Sequence, residues 1–309
     1  MKKFLIKLIQ FAGFSFLIYV ILIFLWGNFF NSKTNKNLNY KQGSNGHLFT
    51  RLREIKKYRN VDILFVGSSH AYRNFDPRIF SRYGIKTFNL GSSSQTPIQT
   101  WMVLKRYLEK LNPKLLVYDV YPATFESDGV ESAIDFISNS EFNFDLISMA
   151  LKINNIKVYN TLLYRIVLEF LGLNNNFKEN LVRGRDKYIS GGYVERDDTI
   201  KLIKQNLKPK KWMFNKYSKN QFEFILKYLR NRSGKLLLVN TPVRKEFYNS
   251  YINNDEVDGY FKSRGMYLNF NKNSLLNDSV HFYDNHHLNK KGVKVFNEYF
   301  INVLNKIYE

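Results

Sequence analysis

Apolar positions follow two different patterns along the 309-residue chain. From Leu8 to Phe30 there are 23 consecutive positions without a charge. A run of that length predicts a helix, rising about 1.5 Å per residue, long enough to cross a hydrocarbon core of about 30 Å. Trp26, Phe29 and Phe30 lie where an interfacial aromatic belt would sit. A cleaved signal peptide would have a shorter apolar core, about 7–15 residues, followed by small residues. No such site follows, so residues 1–32 are predicted to be an uncleaved transmembrane anchor. Lys2, Lys3 and Lys7 precede the span, but Lys33, Lys36 and Lys41 follow it, so charge alone barely sets its orientation.

After the anchor the pattern changes. Residues 33–58 are polar and rich in Asn and Lys, which predicts a juxtamembrane stalk ending in a short helix. From residue 59 onward, short apolar runs alternate with helical patterns. The runs are VDILFVG (61–67), IKTFNLG (85–91), KLLVYDV (114–120), KLLLVN (235–240) and MYLNFN (266–271). Most are too continuously apolar for half-exposed strands and predict a buried parallel sheet. Helical periodicity covers 97–111, 219–232, parts of 243–264, and 289–306. This rhythm predicts an α/β fold over 59–309, a three-layer α/β/α sandwich with a parallel five-stranded, flavodoxin-like sheet. Residues 123–218 show helical patterns and no clear strand. They predict a helical insertion serving as a lid, a docking surface or a plain cap.

Composition adds constraints on partners and chemistry. There are 47 Lys+Arg against 26 Asp+Glu, a formal net charge of +21. That excess favours anionic partners such as acidic headgroups or an anionic polymer, although the lysines are scattered and also read as a solvated surface. A nucleic-acid role fares worst, because an anchor would separate the chain from its partner and no recognition motif is present. Cysteine is absent, which excludes disulfides and thiolate chemistry.

The candidate chemistry sits where the predicted strands end, as it does in open parallel sheets. Those ends read Gly67-Ser68-Ser69-His70, Asn89-Leu90-Gly91-Ser92, Asp119-Val120-Tyr121-Pro122 and Asn240-Thr241-Pro242. Near the C-terminus, FYDNHHLNKKG places Asp284 three residues before His287. One turn of backbone can bring that carboxylate to the Nδ1–H of the imidazole, leaving Nε2 to take a proton from a hydroxyl. A serine at the first strand end completes a nucleophile–base–orienter set, with Asn289 as N-cap of the closing helix. The Ser69 N–H and the unobstructed N–H of Gly91 would form an oxyanion hole. Each residue also has a plainer role. Ser69 can close a turn, Ser68 is an equally placed hydroxyl, and His70 can pack or cap. His281 and His286 lie near Asp284 without a further cluster to complete a metal site. Asp119 and Asn240 are weaker candidates for substrate contact, since either can cap or close a turn. No metal or organic cofactor is required by this chemistry.

These blocks resemble the SGNH/GDSL hydrolases, three-layer α/β/α enzymes acting on esters and acyl groups, many of them on glycans. Gly67-Ser68-Ser69 stands at their Gly-Asp-Ser block, with Ser68 in place of the aspartate and Ser69 as the implied nucleophile. Gly91 matches the second-block glycine. Asp284, His287, Leu288 and Gly292 match the last block. The Gly-x-Asn-Asp block is missing, and VYDVYP stands in its place. The variant first block on an anchor is similar to the membrane-anchored branch that includes the teichoic-acid D-alanylation and alginate O-acetylation proteins. The resemblance covers about 60–122 and 235–306. It implies a serine esterase or O-acyltransferase working on acyl, chiefly acetyl, groups of a cell-envelope or secreted polysaccharide. The domain would lie on the extracytoplasmic side, with a multi-spanning O-acyltransferase as a further partner. The alternative it leaves is an inactive SGNH-like glycan-binding or scaffold protein.

Overall fold

A computed structural model describes residues 1–30, 36–43, 45–174, 176–198, 207–232, 234–272 and 275–308. Its strands are β1 (Ile63–Val66), β2 (Thr87–Asn89), β3 (Leu115–Asp119), β4 (Val182–Arg183), β5 (Asp186–Ile189), β6 (Tyr193–Arg196), β7 (Lys235–Asn240) and β8 (Tyr267–Asn269). Five of them form one parallel sheet in the order β2-β1-β3-β7-β8. Every residue of β1, β2 and β3 is buried, as their unbroken apolar character predicts.

Because successive strand residues point to opposite faces, each strand supplies two cores. Ile63, Phe65, Val117, Leu237 and Val239 face one layer, where they join Phe75, Phe80, Phe296 and Phe300. The last two come from the closing helix Lys290–Tyr308. Phe65 stacks on Phe75 at 4.1 Å between ring centroids. On the opposite face Tyr118 meets Phe222 of helix Lys216–Arg230 edge-on. That helix packs beside helix Pro97–Leu111, whose Trp101 lies edge-on to Phe224 and Tyr228. The start of Pro97–Leu111 has a local cause: Thr96 and Gln99 form a reciprocal capping box and Pro97 opens the first turn.

The chain divides into two compact units: Met1–Ser44 with Ala133–Lys178, and Asn45–Ser132 with Glu179–Glu309. The smaller unit contains helix Lys2–Phe29, the one helix among the described residues long and apolar enough to cross a membrane. Within it, Tyr19 donates to Asn160 Oδ1 at 2.6 Å, and Ile23, Leu38, Tyr164 and Leu168 form a small apolar cluster.

Two expectations change. Segment 123–218 is not one helical appendage, because 133–178 and 179–218 fall in different units. Its second half carries the antiparallel sheet β4-β5-β6. That sheet belongs to the main body: Tyr193 is in the large core, and Gly191 O accepts the Asn89 N–H at 2.8 Å at the end of β2. Its signal is the Gly191-Gly192 pair, both at φ 92°, between two short β-type runs. The predicted stalk also differs. Leu48, Phe49, Leu52 and Ile55 of the helical stretch 48–57 are buried, and Arg51, fully buried, donates to Gly46 O and Gly192 O. Residues 33–35 of the expected stalk and 199–206 of the expected insertion lie outside the described residues.

Candidate active site

β1 ends at Gly67, whose φ of 140° favours glycine, and where an added Cβ would lie 2.8 Å from Asp119 O. The chain turns there into helix Ser69–Asn74. Ser68 Oγ accepts the His70 N–H at 3.3 Å, so Ser68 is the helix cap and is buried. Ser69, one residue later, is half-buried and places Oγ 2.8 Å from His287 Nε2. The choice between two adjacent hydroxyls is thus made by capping: one is used inside the turn and the other points outward.

The base arrives from the loop before the closing helix. Asn289 Oδ1 accepts the Gly292 N–H at 3.0 Å, and Asn289 N–H donates to His281 O at 2.9 Å, which fixes the loop to the helix start. Asp284 Oδ1 accepts the backbone N–H groups of His286 and His287 at 2.9 and 2.7 Å. Its Oδ2 lies 2.7 Å from His287 Nδ1. Burial alone would raise the Asp284 pKa, but the hydrogen bond from His287, with that from the His286 backbone N–H, holds it well below the usual carboxylate range. Asp284 therefore stays ionised and accepts a hydrogen bond from the Nδ1–H of His287, leaving the Nε2 lone pair toward Ser69. His287 is itself lowered, chiefly by burial, against the raising effect of Asp284. It is neutral, and so able to act as a base, at neutral pH.

Tyr283 stacks on His287 with rings 7° from parallel. Arg73 and Arg196 lie over the Tyr283 ring at 5.4 and 4.4 Å. Arg73, one turn after Ser69, is also held by Asp186 of β5 through two hydrogen bonds of 3.0 and 2.7 Å. The small sheet thus braces the imidazole through Arg73 and Tyr283, a support that reading strand ends did not reveal.

Other predicted residues are placed differently. Gly91 lets the end of β2 approach the Ser68 turn, since an added Cβ would lie 2.8 Å from Ser68 O. Its N–H, however, donates to Asn89 Oδ1 at 3.0 Å and is not free for an oxyanion, contrary to expectation. The Ser69 N–H, at the start of its helix, has no partner among the described residues. Asp119 and Asn240, the weaker candidates for substrate contact, are both buried. Asp119 Oδ1 accepts from Thr241 Oγ1 at 3.1 Å, and burial pushes Asp119 up to about 7. His281 is taken by Asn277, whose N–H it accepts at 2.8 Å. His70, by contrast, lies at the site: it is fully buried, stacked on Tyr121 at 3.7 Å, and 3.0 Å from His286 Nδ1 through Nε2. His70, His286 and His287 bring ring nitrogens within 4.8 Å of one another, so this trio is where a divalent cation could be held.

No family model and no curated protein matches the chain. Among solved structures it is similar to one from Bacteroides fragilis described as a "putative acylhydrolase". The identity is 11%, the TM-score 0.43, and the match covers 85% of this chain and 98% of that one. It is also similar to a "GDSL-like lipase" from Bacteroides thetaiotaomicron, at 11% identity and TM-score 0.42, covering 84% and 98%. At these values neither likeness bears on what this chain does; its side chains do.

Proposed function

We propose that the protein is a serine esterase or O-acyltransferase of the SGNH/GDSL kind. The observation that carries this reading is the continuous line Ser69 Oγ–His287 Nε2 (2.8 Å) and His287 Nδ1–Asp284 Oδ2 (2.7 Å) beyond the carboxyl end of β1. A serine hydroxyl scarcely ionises at neutral pH, and a neutral imidazole at hydrogen-bond distance removes that obstacle. Ser69 attacks an acyl carbonyl as His287 takes its proton, and Asp284 steadies the imidazolium. The Ser69 N–H supplies one oxyanion donor. His287 returns the proton to the leaving group. Water or an alcohol then releases the acyl group from Ser69.

The finer reading is of an anchored protein whose catalytic domain lies outside the cytoplasm and modifies acetyl or similar groups on an envelope or secreted glycan. Helix Lys2–Phe29 supports the anchor. The net charge of +21 supports an anionic polymer as partner. So does a cavity of about 420 Å³ lined by Arg78, Arg82, Lys290, Lys291 and Lys294, with Asp76 and Asp197. A multi-spanning O-acyltransferase as donor of the acyl group fits the same reading.

A second reading, a glycan-binding or scaffold protein without turnover, is favoured by the occupied Gly91 N–H. Fluorophosphonate labelling and acetyl-ester hydrolysis separate the two. The enzyme reading expects both in the unaltered protein and neither in a folded Ser69→Ala variant. Turnover that survives Ser69→Ala would refute the assignment of the nucleophile.

A further inference from the structure

A second hydrogen-bonded line runs through the fold and ends at His286, beside His287. It begins at Asp119, the last residue of β3. Thr241, just after β7, places both its N–H (3.4 Å) and its Oγ1 (3.1 Å) against Asp119 Oδ1. Thr241 Oγ1 also accepts from Asn74 Nδ2 at 3.0 Å and lies 3.2 Å from His70 Nδ1. His70 Nε2 lies 3.0 Å from His286 Nδ1. The His286 ring centroid is 4.0 Å from that of His287. All of these residues belong to the larger unit.

Hydrogen-bond arithmetic fixes the direction of this line. Thr241 has one hydroxyl proton, and Asp119 Oδ1 takes it. With Asp119 ionised its Oδ1 can only accept, and its Oδ2 is buried without a partner. Thr241 Oγ1 is therefore an acceptor toward His70, and His70 carries its proton on Nδ1. The bare His70 Nε2 accepts from His286 Nδ1–H. His286 is thereby held in the tautomer whose Nε2 is an unprotonated acceptor, and Nε2 has no partner among the described residues.

We propose that His286 Nε2 is an acceptor-alcohol binding site, which makes a polyhydroxy compound with neighbouring hydroxyls the preferred recipient of the acyl group. This rests on the esterase reading above. The attacking hydroxyl has a single proton, and His287 Nε2 takes it as the new acyl–oxygen bond forms. That proton passes to Ser69 Oγ as the Ser69–acyl bond breaks. A hydrogen bond to His286 therefore comes from a second hydroxyl on the same molecule, and the His286 ring lies next to that of His287, 4.0 Å between centroids. His70, Thr241 and Asp119 are positioning residues.

The test partitions the acetyl-enzyme formed by the full-length protein from p-nitrophenyl acetate between water and an added alcohol. Ethylene glycol carries the second hydroxyl; 2-methoxyethanol has it blocked. The unaltered protein is expected to transfer acetyl to the glycol about tenfold better than to the ether, the worth of one net hydrogen bond. His286→Phe removes that preference, and His286→Gln, whose amide oxygen also accepts, restores part of it. His70→Phe, which frees the His286 tautomer, reduces it as well. Equal partition to glycol and ether in a protein that turns over the ester overturns this proposal and leaves the esterase reading standing. So does an undiminished preference in His286→Phe. Absence of any turnover by the unaltered protein overturns both.

Discussion

The sharpest consequence of the site geometry concerns Asp284→Asn. Asp284 does two jobs with two oxygens: Oδ1 holds the backbone N–H groups of His286 and His287, and Oδ2 faces His287 Nδ1. An asparagine keeps an oxygen for the backbone, so the turn is retained. Its amide then faces Nδ1 as a donor, and the ring must accept there. The imidazole is forced into the Nε2–H tautomer, which cannot take a proton from Ser69, 2.8 Å away. Loss of the right tautomer together with the charge costs about 10³–10⁴ in turnover. At about 1.36 kcal/mol per decade this is about 4–5.5 kcal/mol of barrier. A second effect has a definite sign. The base works only when unprotonated, so activity falls as pH drops through the His287 pKa. Asp284 raises that pKa. Removing its charge lowers the pKa, and the acid limb of the residual activity moves to lower pH. The assay is p-nitrophenyl acetate hydrolysis across an acid-to-neutral series, with folding checked by circular dichroism. A folded variant within about tenfold of the parent rate would show that Asp284 does not orient the base, and an acid limb moving upward would refute the electrostatics.

Further outcomes concern stability. Arg73→Met removes both Arg73 hydrogen bonds to Asp186, whose side chain is only 16% exposed, and leaves it the 3.7 Å pair with Arg196, so the loss in urea unfolding is about 1.5–3 kcal/mol. Adding Asp186→Leu to it is expected to recover much of that loss. Burial raises Asp186, but its Arg73 bonds outweigh that and lower its pKa, so the pair stabilises at neutral pH and the gain fades as acid titrates the carboxyl. Asp119 has the opposite sign. Its folded pKa, about 7, lies above the unfolded value, so it disfavours the fold progressively as pH rises from the usual carboxylate range to about 7. Asp119→Asn is expected to flatten thermal stability over that interval, and an unchanged slope would contradict the burial argument.

The central sheet was legible in the sequence for a physical reason. Strands buried on both faces must be continuously apolar, so 61–67, 85–91, 114–120, 235–240 and 266–271 declared themselves, each within two residues of β1, β2, β3, β7 and β8. The closing helix with its cap Asn289 was legible for another reason, since capping is local. Segment 179–198 was not, because β4-β5-β6 are short, half-exposed strands preceded by a long helical pattern. Nor was the burial of Leu48–Ile55, which depends on what packs over a polar-looking segment.

At the site, residue types at strand ends and the Asp284–His287 spacing were determined along the chain. Which hydroxyl faces the imidazole was not, because Ser68 and Ser69 differ only in which one caps the helix. The commitment of the Gly91 N–H to Asn89 and the joining of Asp119, Thr241, His70 and His286 into one line were also decided only in three dimensions. Local sequence dictates which groups are available and where the backbone turns. Hydrogen bonds between residues far apart in the chain decide which of those groups remain free, because each proton and each lone pair can be used by only a few neighbours.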